Sequence, residues 1–417
     1  MIKRQHIVPE FFAEAEAMRE ALDACFKDAY DHKIHWQYFC DPRRYTYLRT
    51  TPQGVFPQAV LERFLQHLRQ WCMQSLGLVP MGVPKLHLMV NGCRLGLHSD
   101  FHNGAWGYVY SLTRWQERRF SGGETLLMRD GIPSYKRHHA QDDSLYELIP
   151  AIFNQLLIFD DRIVHATPPI EGSMDPLEGR IALVGHIRAS SPQVSGSLPP
   201  TVVRKVILDA MVQLRERVRT YKDVQGTVTY ELTIGTTGTV ESATSLTDNI
   251  ITPATGYAHS DAVAAVRLIT QQAMSGLKFP ASMGRSTVIV PVLIPLPDLR
   301  PIEWVIAHNM PRGVLRTWAQ SRLGSVAGLE LQGAWEGEGE GEGETFVVRE
   351  PVAGNIRIEA GQISACFDPP MWVPSQRENF QIALSAWLQS ASASVDMEVD
   401  LPQQQCAPER GPARVNS

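Results

Sequence analysis

The chain has 417 residues, a length that predicts two or three domains. It is 44% hydrophobic and 20% charged, ordinary globular values, and its net charge of −5 speaks against a nucleic-acid partner, which would leave a basic footprint. No run approaches the roughly 18–20 apolar residues of a membrane span, and the six cysteines form no CxxC pair, so reduced thiols in a cytoplasmic setting are expected.

The N-terminus, Met1–Glu10, is basic but has no apolar stretch behind it, so no signal peptide is expected. Pro9-Glu10 opens a helical pattern through Phe11, Phe12, Ala15, Met18, Leu22 and Phe26. Pro57 opens a second, through Val60, Leu61, Phe64, Leu65, Leu68, Trp71 and Cys72. Both are expected to pack on one face of a β-structure. Between them Cys40–Arg49, dense in Arg and Tyr, reads either as the edge of a substrate mouth or as a solvated loop. Five strand-like runs follow: Lys85–Val90, Gly107–Leu112, Glu124–Met128, Gln155–Phe159 and Arg180–Ile187. Turn residues separate them, among them Asn103-Gly104, Gly122-Gly123 and Pro168-Pro169. Short strands at this rhythm suggest a double-sheet jelly roll.

Within this stretch lies His98-Ser99-Asp100, with His165 and Arg180 downstream. On extended backbone, residues two apart point the same way, so His98 and Asp100 can grip one ion while Ser99 faces away. A third ligand from His165 would complete two imidazoles and one carboxylate, the facial triad that leaves three metal positions open. Arg180 opens the last strand with a rigid two-pronged donor suited to a carboxylate. The other histidines have plainer readings. His102 falls in the Asn103-Gly104 loop, His138-His139 in a polar surface patch, and His186 at a core or pocket position.

Four ordered motifs carry a family resemblance: Gly122-Gly123-Glu124-Thr125, Asn154–Phe159, His165-Ala-Thr-Pro168 and Gly179–Leu183. In these the chain, over about residues 1–190, resembles the 2-oxoglutarate/Fe(II)-dependent oxygenases of the prolyl-4-hydroxylase-like branch. The resemblance implies Fe(II) held by His98, Asp100 and His165, and 2-oxoglutarate paired through its distal carboxylate with Arg180. O2 would be the oxidant and ascorbate a supporting reductant. It also implies decarboxylation to succinate coupled to attack on a C–H bond. Asp100 favours hydroxylation over halogenation, because halogenating relatives lack the carboxylate. Relatives often place a hydroxyl residue two positions after the arginine; here that position is Ala182. Tyr108 or Tyr110 is expected to supply the hydroxyl instead. The fifteen-residue interval from His165 to Arg180 is longer than is usual, with Glu171–Glu178 as the extra loop.

Residues 190–200 read as a linker by composition. A helix over 202–221, a hairpin of Gly226–Ile234 with Thr239–Ser245, a helix over 261–275 and a strand over Thr287–Ile294 follow. Through Ile234, Gly238, Val240 and Lys278-Phe279-Pro280, this ββαβ block (about 200–298) resembles the TonB C-terminal-like domains of the AgmX/PglI type. That implies an interaction module, with docking of a partner or self-association through 196–300. Residues 301–395 read as a third, small unit: a helix over Val314–Leu323, strands at Thr345–Val348, Asn355–Glu359 and Gln362–Phe367, and a helix over Glu378–Ser390. Glu336–Glu344 alternates Glu and Gly, a flexible acidic loop. The tail, 396–417, is expected to be disordered.

The whole reads as an α+β chain: a double-stranded β-helix oxygenase domain with N-terminal helices (1–195), a ββαβ domain (196–300), a small α+β unit (301–395) and the tail. Three functions are in play. One is hydroxylation of a peptide or protein side chain presented by the C-terminal modules. The second is the same chemistry on a free amino acid or small metabolite. The third is a catalytically silent scaffold, which the intact triad disfavours.

Overall fold

The computed structural model describes residues 4–27, 34–41, 43–129, 145–252, 261–307, 332–336, 344–350, 352–359, 361–368 and 374–393. Its N-terminal half is built on strands β1 (Gln5–Val8), β2 (Gln37–Asp41), β3 (Tyr45–Thr50), β4 (Val79–Pro80), β5 (Lys85–Met89), β6 (Arg94–His98) and β7 (Trp106–Ser111). It continues with β8 (Phe120–Ser121), β9 (Thr125–Met128), β10 (Tyr146–Ile149), β11 (Gln155–Asp160), β12 (His165–Thr167), β13 (Glu171–Gly172) and β14 (Arg180–Arg188). Two helices accompany them, α1 (Ala15–Ala24) and α2 (Gln58–Leu76).

One antiparallel sheet runs β1-β11-β7-β14-β5-β3-β6-β12-β9-β10, with β2 on β3, β4 on β14, and β8 paired with β13 apart. Strand β3 is the joint: Leu48–Thr50 pair with β5, while Tyr45 and Thr46 pair with β6. The sheet folds back there, so its two halves enclose a cavity lined from both. This is the curled, mostly antiparallel architecture expected of a jelly roll. Strand β14 is buried along most of its length because it is flanked on both edges, by β7 and β5.

The helices cover the outer face. Leu61, Phe64, Leu68, Cys72 and Leu76 recur at helical spacing on α2 and are all buried. Each such side chain contributes roughly 1.5–3 kcal/mol of burial. Tyr110 meets this face, its ring 4.7 Å from Phe64. Helix α1 begins at Ala15, later than Pro9 as expected, since Glu10 takes a positive φ of 48° and the Phe11 N–H donates to the Asn154 carbonyl.

The second sheet is ordered β15-β18-β16-β17, with β15 (Gln193–Gly196), β16 (Gly226–Ile234), β17 (Val240–Asp248) and β18 (Ser286–Ile294). Helices α3 (Pro200–Val218) and α4 (Asp261–Ser275) accompany it, with a core of their own around Val203, Met211, Val263 and Val290. The expected linker over 190–200 therefore contains a strand of this sheet. A third sheet runs β19-β23-β22-β21-β20, with β19 (Ile302–Ala307), β20 (Gln332–Glu336), β21 (Glu344–Glu350), β22 (Gly354–Glu359) and β23 (Gln362–Phe367), followed by a helix at Pro374–Ala393. The expected helix at Val314–Leu323, the interior of the Glu-Gly loop and the tail lie outside the described residues. No described helix is long and apolar enough to cross a membrane.

The first two sheets meet through polar groups that neither could satisfy alone. Helix α2 ends on Gly77 at φ +66°, where a Cβ would collide with the Thr229 and Ile289 side chains. Thr247 donates its hydroxyl to the last helical carbonyl, Leu76 O, at 3.0 Å. Nearby, the fully buried Asp160 carboxylate accepts from Arg4 Nε at 3.0 Å, from Arg162 and from Asn249 Nδ2 at 3.1 Å, while Arg162 also donates to the Asn249 carbonyl. Burial alone would raise the Asp160 pKa, but the Arg162 and Arg4 charges outweigh it and hold the carboxyl below its usual range.

Removing one partner from such a cluster strands the others. We expect Asp160→Ala to cost about 3–5 kcal/mol, because it leaves two guanidinia uncompensated. Asn249→Ala should cost about 1–3 kcal/mol by orphaning a hydrogen-bonding group. Denaturant midpoints would check both, and equal small losses would contradict this account of the junction.

Candidate metal and co-substrate site

Strands β6 and β12 bring the two expected histidines face to face. His98 and His165 are register partners, and their rings stand 4.2 Å apart, centroid to centroid. Each ring is oriented by its own backbone: His98 Nδ1 lies 2.7 Å from Gly96 O and His165 Nδ1 3.0 Å from Ile163 O. A carbonyl can only accept, so both Nδ1 atoms donate and both Nε2 atoms are left bare toward the cavity. Asp100 completes the group, its Oδ2 3.8 Å from His98 Nε2 and 3.5 Å from His165 Nε2. Its other oxygen accepts from Asn103 Nδ2 at 3.2 Å, and its backbone N–H donates to Asp161 O. The ligand atoms of the three residues lie within 4.8 Å of one another.

The electrostatics suit a cation. Burial lowers the His98 pKa, and His165 beside it lowers it further, which keeps the imidazole neutral and available as a ligand. Burial works to raise the Asp100 pKa, but the contacts to His165, His186 and His98 overcome it and keep the carboxyl ionised. Two imidazoles and one carboxylate, grouped on one side and open on the other, fit a divalent iron-type ion.

The same cavity, of about 600 Å³, is lined by Arg180. Its guanidinium is only 3% exposed, yet no carboxylate touches it among the described residues. Nη1 approaches Met89 Sδ at 3.6 Å, Nη2 approaches Thr125 Oγ1 at 3.4 Å, and Nε has no partner. Burial pushes its pKa down to about 10, only partly offset by the more distant Glu124. A buried cation that meets only a thioether and a hydroxyl among the described residues suits an anion.

The two tyrosines expected to supply a hydroxyl are placed differently. Tyr110 packs in the helix-covered core against Phe64, whereas Tyr108, buried in the same core, is also among the residues that border the cavity. Tyr110 donates its hydroxyl to Asn154 Oδ1. Tyr108 lies across β14 at Gly185, where any Cβ would strike its hydroxyl. The hydroxyl beside Arg180 comes from Thr125 of the Gly122–Thr125 motif. Tyr47 and Arg49, from the Cys40–Arg49 stretch read as the edge of a substrate mouth or a solvated loop, line the cavity, as does His87, the register partner of Arg49 on β5 and a residue the sequence reading does not single out. Burial, with Arg180 and Arg49 adding, pushes the His87 pKa down to about 3 and keeps it neutral. The signal for His87 is faint, a lone His in a short alternating run.

His186 does line the cavity, and its Nδ1 pairs with Asp161 Oδ2 at 2.9 Å. His102 is exposed and stacks on Phe101. His138-His139 lie outside the described residues.

No family model and no curated protein matches the chain. Among solved structures it is similar to a Pseudomonas putida prolyl-4-hydroxylase, at 14% identity and a TM-score of 0.30 over 45% of this chain and 92% of that one. It is similar to a 2OG-Fe(II) oxygenase family oxidoreductase from Burkholderia pseudomallei, at 12% identity and a TM-score of 0.30 over 43% and 83%. A third is HygX from Streptomyces hygroscopicus, solved with nickel, 2-oxoglutarate and hygromycin B, at 10% identity and a TM-score of 0.29 over 43% and 81%.

Proposed function

We propose that the protein is an Fe(II)/2-oxoglutarate-dependent dioxygenase that hydroxylates a C–H bond of a peptide or protein side chain. The observation that carries this reading is the pairing, in one cavity, of a three-ligand metal site with a buried arginine that lacks a carboxylate. His98, Asp100 and His165 would hold Fe(II), and the ion would supply activation of O2 for attack on an unactivated C–H bond. Arg180 would take the distal carboxylate of 2-oxoglutarate on its free donor fork, with Thr125 adding a hydroxyl. Neutral His87 lies between Arg180 and Arg49 without adding charge. The second and third sheets would present substrate or partner, and the tight polar junction at Asp160 supports a second, bracing role for the second sheet. A free amino acid or small metabolite is the competing substrate class.

Two outcomes test the assignment. Asp100→Ala should lose Fe(II) retention while the fold survives, measured by metal content after gel filtration and by circular dichroism; full retention would contradict the triad. Arg180→Ala should raise the 2-oxoglutarate concentration at half-saturation by about 30-fold or more, as expected from losing a contact worth about 2–5 kcal/mol. Arg180→Lys should recover only part of it, since an ammonium cannot reproduce the fork. Calorimetric titration of 2-oxoglutarate into the metal-loaded protein would show both.

A further inference from the structure

The mouth of the cavity has a chemistry of its own. Strands β2 and β3 form a hairpin whose inner face carries rings in sequence toward the metal site. Phe39 stacks on Tyr47 at 5.6 Å and 18°, Tyr45 packs against Tyr47 edge-on, and Tyr47 lies 4.6 Å from His87. The Arg49 guanidinium sits 3.6 Å over the Phe39 ring and donates to Gln37, so it is held in place without an acidic partner. Lys85, exposed at the start of β5, lines the same opening. Among the described lining residues the only carboxylate is Asp100.

The charges can be paired off. A divalent ion, the two carboxylates of 2-oxoglutarate, Asp100 and Arg180 together come to zero. The Asp161–His186 pair closes on itself. Arg49 and Lys85 are left over, at the outer end of an aromatic floor, in a chain whose net charge is −5. Arg43 and Arg44, exposed at the hairpin turn, extend the positive rim, against Asp41 alone. Among the described residues strand β2 pairs only with β3, so no described strand covers its outer backbone edge beside the mouth. An open strand edge accepts an extended chain by main-chain hydrogen bonds, while side-chain pockets set the preference.

We infer that the substrate is an acidic peptide segment, with a Glu or Asp flanking the residue that enters the cavity and pairing with Arg49 and Lys85. This rests on the oxygenase reading above. It adds what that reading leaves open, the sign of charge on the substrate. Complementary charge at a rim raises the rate of encounter and suppresses wrong partners, and its effect fades with salt.

The test uses the full chain loaded with Fe(II) and 2-oxoglutarate. Three pools of fluorescent heptapeptides, blocked at both ends, carry any residue at the centre and Glu, Gln or Lys on either side. Anisotropy reads binding and succinate release reads turnover above the substrate-free baseline. The Glu pool should bind at least tenfold more tightly than the Gln pool, with the Lys pool weakest. The preference should shrink with added salt and in the Arg49→Gln, Lys85→Gln double variant. Equal binding of the Glu and Gln pools, preference for Lys, or no response to any pool would overturn the inference, whether or not the variant folds. Absence of any 2-oxoglutarate consumption would instead overturn the oxygenase reading, and the anisotropy ranking would still decide the charge of the mouth.

Discussion

A guanidinium buried without a carboxylate is the most demanding feature of this molecule. Arg180 sits on β14 between a thioether and a threonine hydroxyl, neither of which can balance its charge. Desolvating an ion costs several kcal/mol even after relaxation, and an unpaired one recovers little of it. The sheet nonetheless fixes Arg180, because β14 is hydrogen-bonded on both edges and buried through Ile181–Leu183. The fold thus holds a charge in a place that only a ligand can make comfortable. A carboxylate placed against its donors would recover that cost, and a neutral group would recover little of it.

The metal ligands depend on a related economy. His98 and His165 come from strands that are neighbours in one half of the sheet, while Arg180 comes from the other half. Their convergence on one cavity depends on the fold-back at β3, which changes partner from β5 to β6 within six residues. That same strand carries Tyr45, Tyr47 and Arg49 toward the mouth. The joint that closes the barrel therefore also furnishes its entrance.

Much of this was legible in the sequence. Gln155–Phe159 and Arg180–Ile187 are continuous apolar runs, and fully buried strands read that way. The block from α3 to β18 follows its periodicity closely where an element has one apolar face, as α3 and β18 do, and less closely at β17, which is polar and mostly exposed and runs on to Asp248. The hairpin at 37–50 was harder, because both of its faces are half-exposed and its aromatic residues alternate with polar ones. Strand β6 hid behind Gly96 and the exposed Leu97. The stretch at 190–200 has the composition of a linker, yet β15 is an edge strand, where Pro, Ser and Gly are tolerated. The hydroxyl beside Arg180 could not be found by counting from the arginine. It comes from β9, and contacts between distant strands leave no spacing rule along the chain.

The cluster at Asp160 has a consequence for how the molecule behaves as a whole. Asp160 ends β11, and its carbonyl accepts from Ile163 N–H in the turn that carries the chain to His165. The second sheet holds that aspartate through Asn249. What reads along the sequence as a string of separable modules is thermodynamically a single object at this point. Four residues, Asp161–Val164, separate the aspartate that the second sheet grips from His165, and the Ile163 carbonyl within that stretch accepts from His165 Nδ1. Linkage of that kind is reciprocal, so any displacement of Asp160 by the second sheet would reach His165 through this turn, and any displacement of His165 would return to the junction.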